Sequence, residues 1–130
     1  MNILITSGGT SEKIDQVRSI TNHSTGQLGK IISKRFLEAG FSVTLVTTPT
    51  AVQPKEHPHL RKIFIKDVAE LQIVLEKETP THQVLIHAMA VSDYSPVYMS
   101  GFQAVKEASN LEHFLHQTNQ ESKISSEEDY

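Results

Sequence analysis

Cysteine is absent from all 130 residues, which excludes disulfides, thiolate nucleophiles and cysteine-based zinc sites. Tryptophan is absent as well, and aromatic residues make up only 6% of the chain, so a core must be assembled from Ile, Leu, Val and Ala. Excess charge is also lacking. Twelve basic residues stand against 15 acidic ones, and the Lys and Arg residues are scattered. That pattern argues against a nucleic-acid surface and against a polybasic membrane patch. No apolar run approaches the ~18 residues of a membrane-spanning helix. The apolar start, Met1–Ile5, runs directly into Ser7-Gly8-Gly9 and has neither the length nor the charged flank of a signal peptide. A soluble cytoplasmic protein is expected.

What is present is a succession of short apolar strands and amphipathic helices. Ile3–Thr6 reads as a buried parallel strand ending at a glycine pair. Thr10–Ser24 is polar and irregular. From Gly26 a helical period follows, with Leu28, Ile31, Ile32, Phe36 and Leu37 as its apolar set and Ala39-Gly40 as its stop. Val43–Thr47 is a second strand, and Thr50–His59 reads as an irregular loop. Lys62–Ile65 is a third strand. Val68–Leu75 begins a helix that Pro80 ends, and Gln83–Ala88 is a fourth strand. Phe102–Gln117 has the apolar spacing of one more helix, and Gln120–Tyr130 is polar and acidic.

This order is a βαβ succession. It predicts an α/β fold: a Rossmann-like, three-layer parallel sheet with helices on both faces. Residues 1–130 are expected to form a single α/β domain, with 119–130 as a mobile loop or tail. Ligands of such sheets bind outside the carboxyl ends of the strands. Ser7–Thr10, Thr47–Thr50 and His87–Asp93 should therefore share one edge.

Two segments on that edge have chemistry to offer. Thr6-Ser7-Gly8-Gly9-Thr10 follows a strand, and its glycines permit a tight turn and close approach of backbone amides to a phosphate. Simple turn chemistry accounts for the pair equally well, and the spacing is not the G-x-G-x-x-G of dinucleotide folds. The second segment, Asp15–Gly29, sets Arg18, Asn22, His23, Ser24 and Thr25 just ahead of a helix start that favours an anion. An ordinary N-cap by Ser24 or Thr25 is the competing local reading.

Taken together, Gly8-Gly9-Thr10, Ile14-Asp15-x-Val17-Arg18-x-Ile20-x-Asn22-His23-Ser24-x-Gly26-x-x-Gly29 and His87-Ala88-Met89-Ala90-Val91-Ser92-Asp93-Tyr94 closely resemble the phosphopantothenate–cysteine ligases. The likeness is to the stand-alone bacterial form, which is not fused to a flavin-dependent decarboxylase. It implies formation of an amide between 4′-phosphopantothenate and L-cysteine through an acyl-cytidylate, with CTP as a substrate, Mg²⁺ accompanying the nucleotide, and a homodimer. The resemblance assigns catalytic roles to Asn22, Lys123 and Arg18. Asn22 is expected to hydrogen-bond the acyl-cytidylate, Arg18 to support the loop or meet an anionic group, and Lys123 to neutralise developing phosphate charge. Gly8, Gly9, Thr10, His23, Ser24, Thr25 and Gly26 are implied to bind phosphopantothenate. Ala88, Met89 and Ala90 are implied to line the nucleotide pocket, and Asp93 to contact the nucleotide or orient Mg²⁺. Met89 departs from the alanine usual in the family.

The remaining histidines show no ligand spacing. His113 and His116 lack a third partner, so no protein metal site is expected. Members of this family are longer, and the fold is expected to be truncated at the C-terminus. Two other readings stay open: a non-catalytic substrate-binding or dimerising fragment, and an NAD(P)-dependent reductase. The reductase reading lacks both the dinucleotide glycines and a Tyr-x-x-x-Lys pair, since Tyr94 is followed four residues on by Tyr98.

Overall fold

A computed structural model describes residues 1–97, 99 and 101. The expected helix over Phe102–Gln117, the segment 119–130 and Lys123 lie outside the described residues. In chain order the elements are β1 (Asn2–Gly9), β2 (Ser11–Lys13), β3 (Ser19–Thr21), α1 (Gln27–Glu38), β4 (Ser42–Thr47), β5 (Leu60–Phe64), α2 (Val68–Glu78), a 3₁₀ turn (Thr79–Thr81) and β6 (Val84–Ala90). The chain divides into two compact units. One comprises Met1–Ser11 and Thr21–Ser92, and the other takes Glu12–Ile20 together with the chain from Asp93 onward.

The first unit is built on a four-stranded sheet in the order β5-β4-β1-β6, and all its pairings are parallel. Counting only these strands, the order is 3-2-1-4, that of a Rossmann-like half. The sheet is buried between helices because its strands alternate two apolar sets. Ile3, Ile5, Val43 and Leu45 meet Leu37 of α1. Leu4, Val46 and Met89 meet Ile65 and Leu71, the latter on α2. Each fully buried Ile or Leu contributes about 1.5–3 kcal/mol, so the centre of the sheet dominates stability.

Both helices are ended by recognisable local chemistry. At the end of α1, Gly40 adopts φ 90°. Its N–H bonds to Leu37 O and that of Phe41 to Phe36 O, each at 3.1 Å, and the rings of Phe36 and Phe41 meet edge-on. This is a Schellman closure with its apolar contact. At the start of α2, Asp67 accepts from the Glu70 N–H at 2.9 Å while Glu70 reaches back to the Lys66 N–H at 3.0 Å. That reciprocal pair is a variant of the capping box.

Three sequence expectations are corrected here. The stretch after β1 is not irregular throughout, because β2 and β3 pair as a two-stranded sheet. The buried positions of α1 are Gly29, Ser33 and Leu37, whereas Leu28 and Ile31 are exposed. Gly29 lets the first turns lie directly on β1, while Leu37, with Ile32 and Phe36 packed against the same core, bears out the rest of the apolar set. Finally, neither Ser24 nor Thr25 is the N-cap of α1. Gly26 holds that position at φ 82°, with no side-chain cap bond.

Candidate active site

The site is built at the carboxyl ends of β1 and β6, where the strand order changes direction, and the crevice of such sheets opens there. The register brings Ser7 beside Ala88, Gly8 beside Met89 and Gly9 beside Ala90. Beyond the ladder, the Thr10 N–H bonds to Ala90 O at 3.0 Å. The end of β4 adds Thr48 and Ala51, which stand 3.0 Å from where a Gly8 Cβ would lie.

The glycines have distinct tasks. Gly8 sits at φ 96°, a backbone conformation that side chains disfavour. A Cβ on Gly29 would fall 2.2 Å from Ser7 Oγ, so its absence lets α1 rest directly on β1. A Cβ on Gly9 would fall 2.2 Å from the carbonyl oxygen of Asn22. This close approach brings Asn22 onto the strand end.

Asn22 is fixed by further bonds. Its backbone N–H donates to Thr10 O at 3.1 Å, and its carbonyl accepts from the Ser24 N–H at 3.1 Å. Its side-chain Nδ2 donates to Ser92 Oγ at 3.1 Å. Ser92 in turn is tied to Thr10, because its N–H donates to Thr10 Oγ1 at 2.8 Å and the two hydroxyls are 2.9 Å apart. Thr10 is wholly buried, while Asn22 and Ser92 are half-buried. A carboxamide is thus held in place and remains reachable.

The N-terminus of α1 adjoins this group in sequence. The carbonyl of Gly26 accepts from the Lys30 N–H at 3.0 Å and from Ser7 Oγ at 3.1 Å, which locks the first turn to β1. Thr25 Oγ1 accepts from the Gln27 N–H at 3.3 Å, and the first turn carries no acidic residue. Its remaining first-turn amides and positive helix end favour an anion.

The expected residues therefore gather unequally. Gly8, Gly9, Thr10, Asn22, Ser24, Gly26, Ala88 and Ala90 belong to one unit and one end of its sheet. His23 and Thr25 share that segment and are exposed. Met89 lies in the core with Leu4, Val46, Ile65 and Leu71, because strand alternation turns it toward the α2 face. In the second unit, Arg18 forms part of a tight turn. Its N–H and that of Val17 donate to Asp15 Oδ1 at 2.6 and 2.8 Å, and its carbonyl accepts from Ile14 N–H at 2.9 Å. Asp93, also in the second unit, is exposed. Ser92 was not singled out by sequence reasoning, although a hydroxyl immediately after a strand end was a usable signal.

A doubly wound, nucleotide-fold-like sheet with a buried glycine edge defines the class of protein. Residues 1–125 match the family model of the DNA/pantothenate metabolism flavoprotein C-terminal domain, and the chain belongs to that family. It is 38% identical over 94 residues to the coenzyme A biosynthesis bifunctional protein CoaBC of Vibrio cholerae, covering 72% of this chain and 23% of that protein. The chain thus spans about a quarter of the curated relatives' length. Its structure matches the DNA/pantothenate metabolism flavoprotein of Streptococcus pneumoniae with a TM-score of 0.91 and 53% identity, over 100% of this chain and 57% of that one. A Cab2 mutant solved in complex with phosphopantothenate–cysteine shares the fold, with a TM-score of 0.66 and 20% identity over 79% of this chain and 51% of that one.

Proposed function

We propose that this chain carries the Asn22 side of a phosphopantothenate–cysteine ligase site, acting in coenzyme A biosynthesis. The observation that carries the reading is the Asn22 carboxamide, clamped between the ends of β1 and β6 just ahead of the α1 N-terminus. Membership of the family and the coenzyme A assignment of CoaBC support it.

In this reading the carboxylate of 4′-phosphopantothenate attacks the α-phosphate of CTP. A new O–P bond forms, the α–β bridging bond breaks, and pyrophosphate leaves. The amine of L-cysteine then attacks the acyl carbon of the acyl-cytidylate, CMP leaves, and the amide nitrogen loses its proton. Such steps demand alignment and charge neutralisation more than strong acid–base groups. Mg²⁺ would accompany the nucleotide and neutralise triphosphate charge, with Asp93 as the residue to orient it.

Asn22 suits the second step because a neutral donor stabilises an oxyanion without trapping CMP. Gly8, Gly9 and His23–Gly26 hold phosphopantothenate, with the buried Thr10 acting behind them through Ser92 and Asn22, while Ala88, Ala90 and Asp93 serve the nucleotide and Met89 supports that strand end from the core. Arg18 and Lys123 answer the remaining anionic charge. A homodimer is part of the same proposal, and sedimentation of the purified chain tests it.

The functional test supplies CTP, Mg²⁺, phosphopantothenate and cysteine, then follows pyrophosphate and amide separately. Asn22→Asp should leave pyrophosphate release near its starting rate and slow amide formation by about 10²-fold, the usual loss for an oxyanion donor. Phosphopantothenate binding without CTP-dependent pyrophosphate release assigns the chain to substrate binding alone. Binding of NADPH in place of CTP overturns the proposal.

A further inference from the structure

With Asn22 Nδ2 donating to Ser92, the hydroxyl network behind it has one proton arrangement that leaves no buried donor unused. Thr10 Oγ1 already accepts the Ser92 N–H at 2.8 Å, and Thr10 is 0% exposed. Among the described residues its own proton has one acceptor on offer, Ser92 Oγ at 2.9 Å. The alternative, in which Ser92 donates to Thr10, strands the Thr10 proton in a closed interior, at a cost of about 1–3 kcal/mol. Thr10 therefore donates to Ser92. Ser92 Oγ then accepts twice, from Thr10 and from Asn22 Nδ2 at 3.1 Å. Its own proton is left over on a half-buried residue, where solvent or a ligand can take it.

We infer that Ser92 is a positioning residue for Asn22, and that its spare hydroxyl proton stands beside the second Nδ2 proton as a two-donor cradle for an oxyanion. The pairing holds the carboxamide at the strand end, with Nδ2 facing Ser92. A half-turn of the amide would instead let the Ser92 hydroxyl donate to Oδ1, so the two-donor cradle belongs to the orientation in which Nδ2 faces Ser92. Thr10 thus transmits its buried, rigid position through Ser92 to Asn22. Its own backbone is tied at both polar groups, to Ala90 O at 3.0 Å and to the Asn22 N–H at 3.1 Å. The orientation of Asn22 is consequently set by β1 and β6 together and not by the loop that bears it.

This inference rests on the ligase reading for the identity of the oxyanion, though not for the hydrogen-bond relay. The test therefore has two independent readouts on the full chain. The first is the Asn22 side-chain amide pair in nitrogen–proton NMR spectra, with no ligand added. Ser92→Ala should shift both signals and speed their exchange with water, and Ser92→Thr should leave them nearly unchanged. The second is calorimetric binding of 4′-phosphopantothenate and of CTP with Mg²⁺. Ser92→Ala should weaken binding about five- to tenfold, the loss expected for one or two oriented hydrogen bonds. Ser92→Thr should restore it, and Ser92→Ala should add little once Asn22→Ala is present.

Unaltered Asn22 amide signals in Ser92→Ala overturn the relay. Effects of the two alanine variants that simply multiply overturn the coupling. If the wild-type chain binds neither ligand, the ligase reading fails, and the amide signals still decide the relay. Should Ser92→Ala unfold, Ser92→Cys keeps a weaker acceptor at the same point, and its amide signals should fall between those of wild type and an unanchored carboxamide.

Discussion

The two ends of the central sheet are made from different chemistry. At the amino end the strands are tied by polar side chains reaching across the chain. The Asn2 N–H donates to Gln83 Oε1 at 2.7 Å, and Asn2 Nδ2 donates to Thr81 O at 3.3 Å. His82 spans Glu78 O at 2.6 Å and Thr44 Oγ1 at 2.8 Å, and Arg61 pairs with the buried Glu78. At the carboxyl end such side chains are replaced by glycines, alanines and short hydroxyls, with Asn22 as the one carboxamide of the network. One end is closed by reach and the other is kept open by smallness. In this fold, the backbone itself must approach a ligand only at the open end, so close-packed small residues belong there and long polar ties would obstruct it.

Substitutions at the two ends should separate stability from ligand binding. The largest effect is expected at Gly29, where a new Cβ would sit 2.2 Å from Ser7 Oγ. Both partners belong to packed elements, so Gly29→Ala should cost about 3 kcal/mol, the upper range for overpacking, in denaturant unfolding. Gly9→Ala meets an equally short contact, 2.2 Å to Asn22 O, but the obstructed group lies outside the helix-on-sheet core, and its displacement breaks the Asn22 ties to Thr10 and Ser92. Its unfolding midpoint should fall by less than that of Gly29→Ala, while titration should show phosphopantothenate binding lost. Arg61→Ala is the counterpart at the closed end. Glu78 is left buried with 7% side-chain exposure, but Arg61 was already 56% exposed. The loss should be about 1 kcal/mol of stability, discounted for solvent screening, with ligand binding unchanged. A binding defect in Arg61→Ala, or intact binding in Gly9→Ala, would erase the distinction between the ends.

Much of the sheet was legible because its strands are short β-branched runs closed by glycine or proline. Ser42–Thr47 and Val84–Ala90 each fall within a few residues of the sequence reading. β2 and β3 escaped because Ser-Glu-Lys and Ser-Ile-Thr carry no apolar alternation, and their pairing is fixed by the return of the chain. The inner face of α1 was read at Ile32, Phe36 and Leu37 and missed at Gly29 and Ser33. Its closest contact is made by Gly29, a residue that hydrophobic periodicity does not count. Within the site, Asn22 was visible through its motif. Its anchoring was not, since Thr10 and Ser92 are 82 residues apart and ordinary hydroxyls carry no long-range signature. Met89 was readable in principle, because the period of two through Leu85, His87 and Met89 turns it away from Ala88 and Ala90.

The pairing of Ser11 with Thr21 has a practical side. Their hydroxyls are 2.6 Å apart, so the chain leaves the strand end and comes back to it through a narrow neck. Closing a loop costs free energy only weakly dependent on its length. The excursion Glu12–Ile20 belongs to the second compact unit, so the neck is the point at which the chain leaves the first unit and re-enters it. Shortening the excursion would delete Arg18 and alter the second unit, while the bonds of Asn22 to Thr10 and Ser92 lie within the first. The same neck is a natural insertion point for a reporter group close to the crevice.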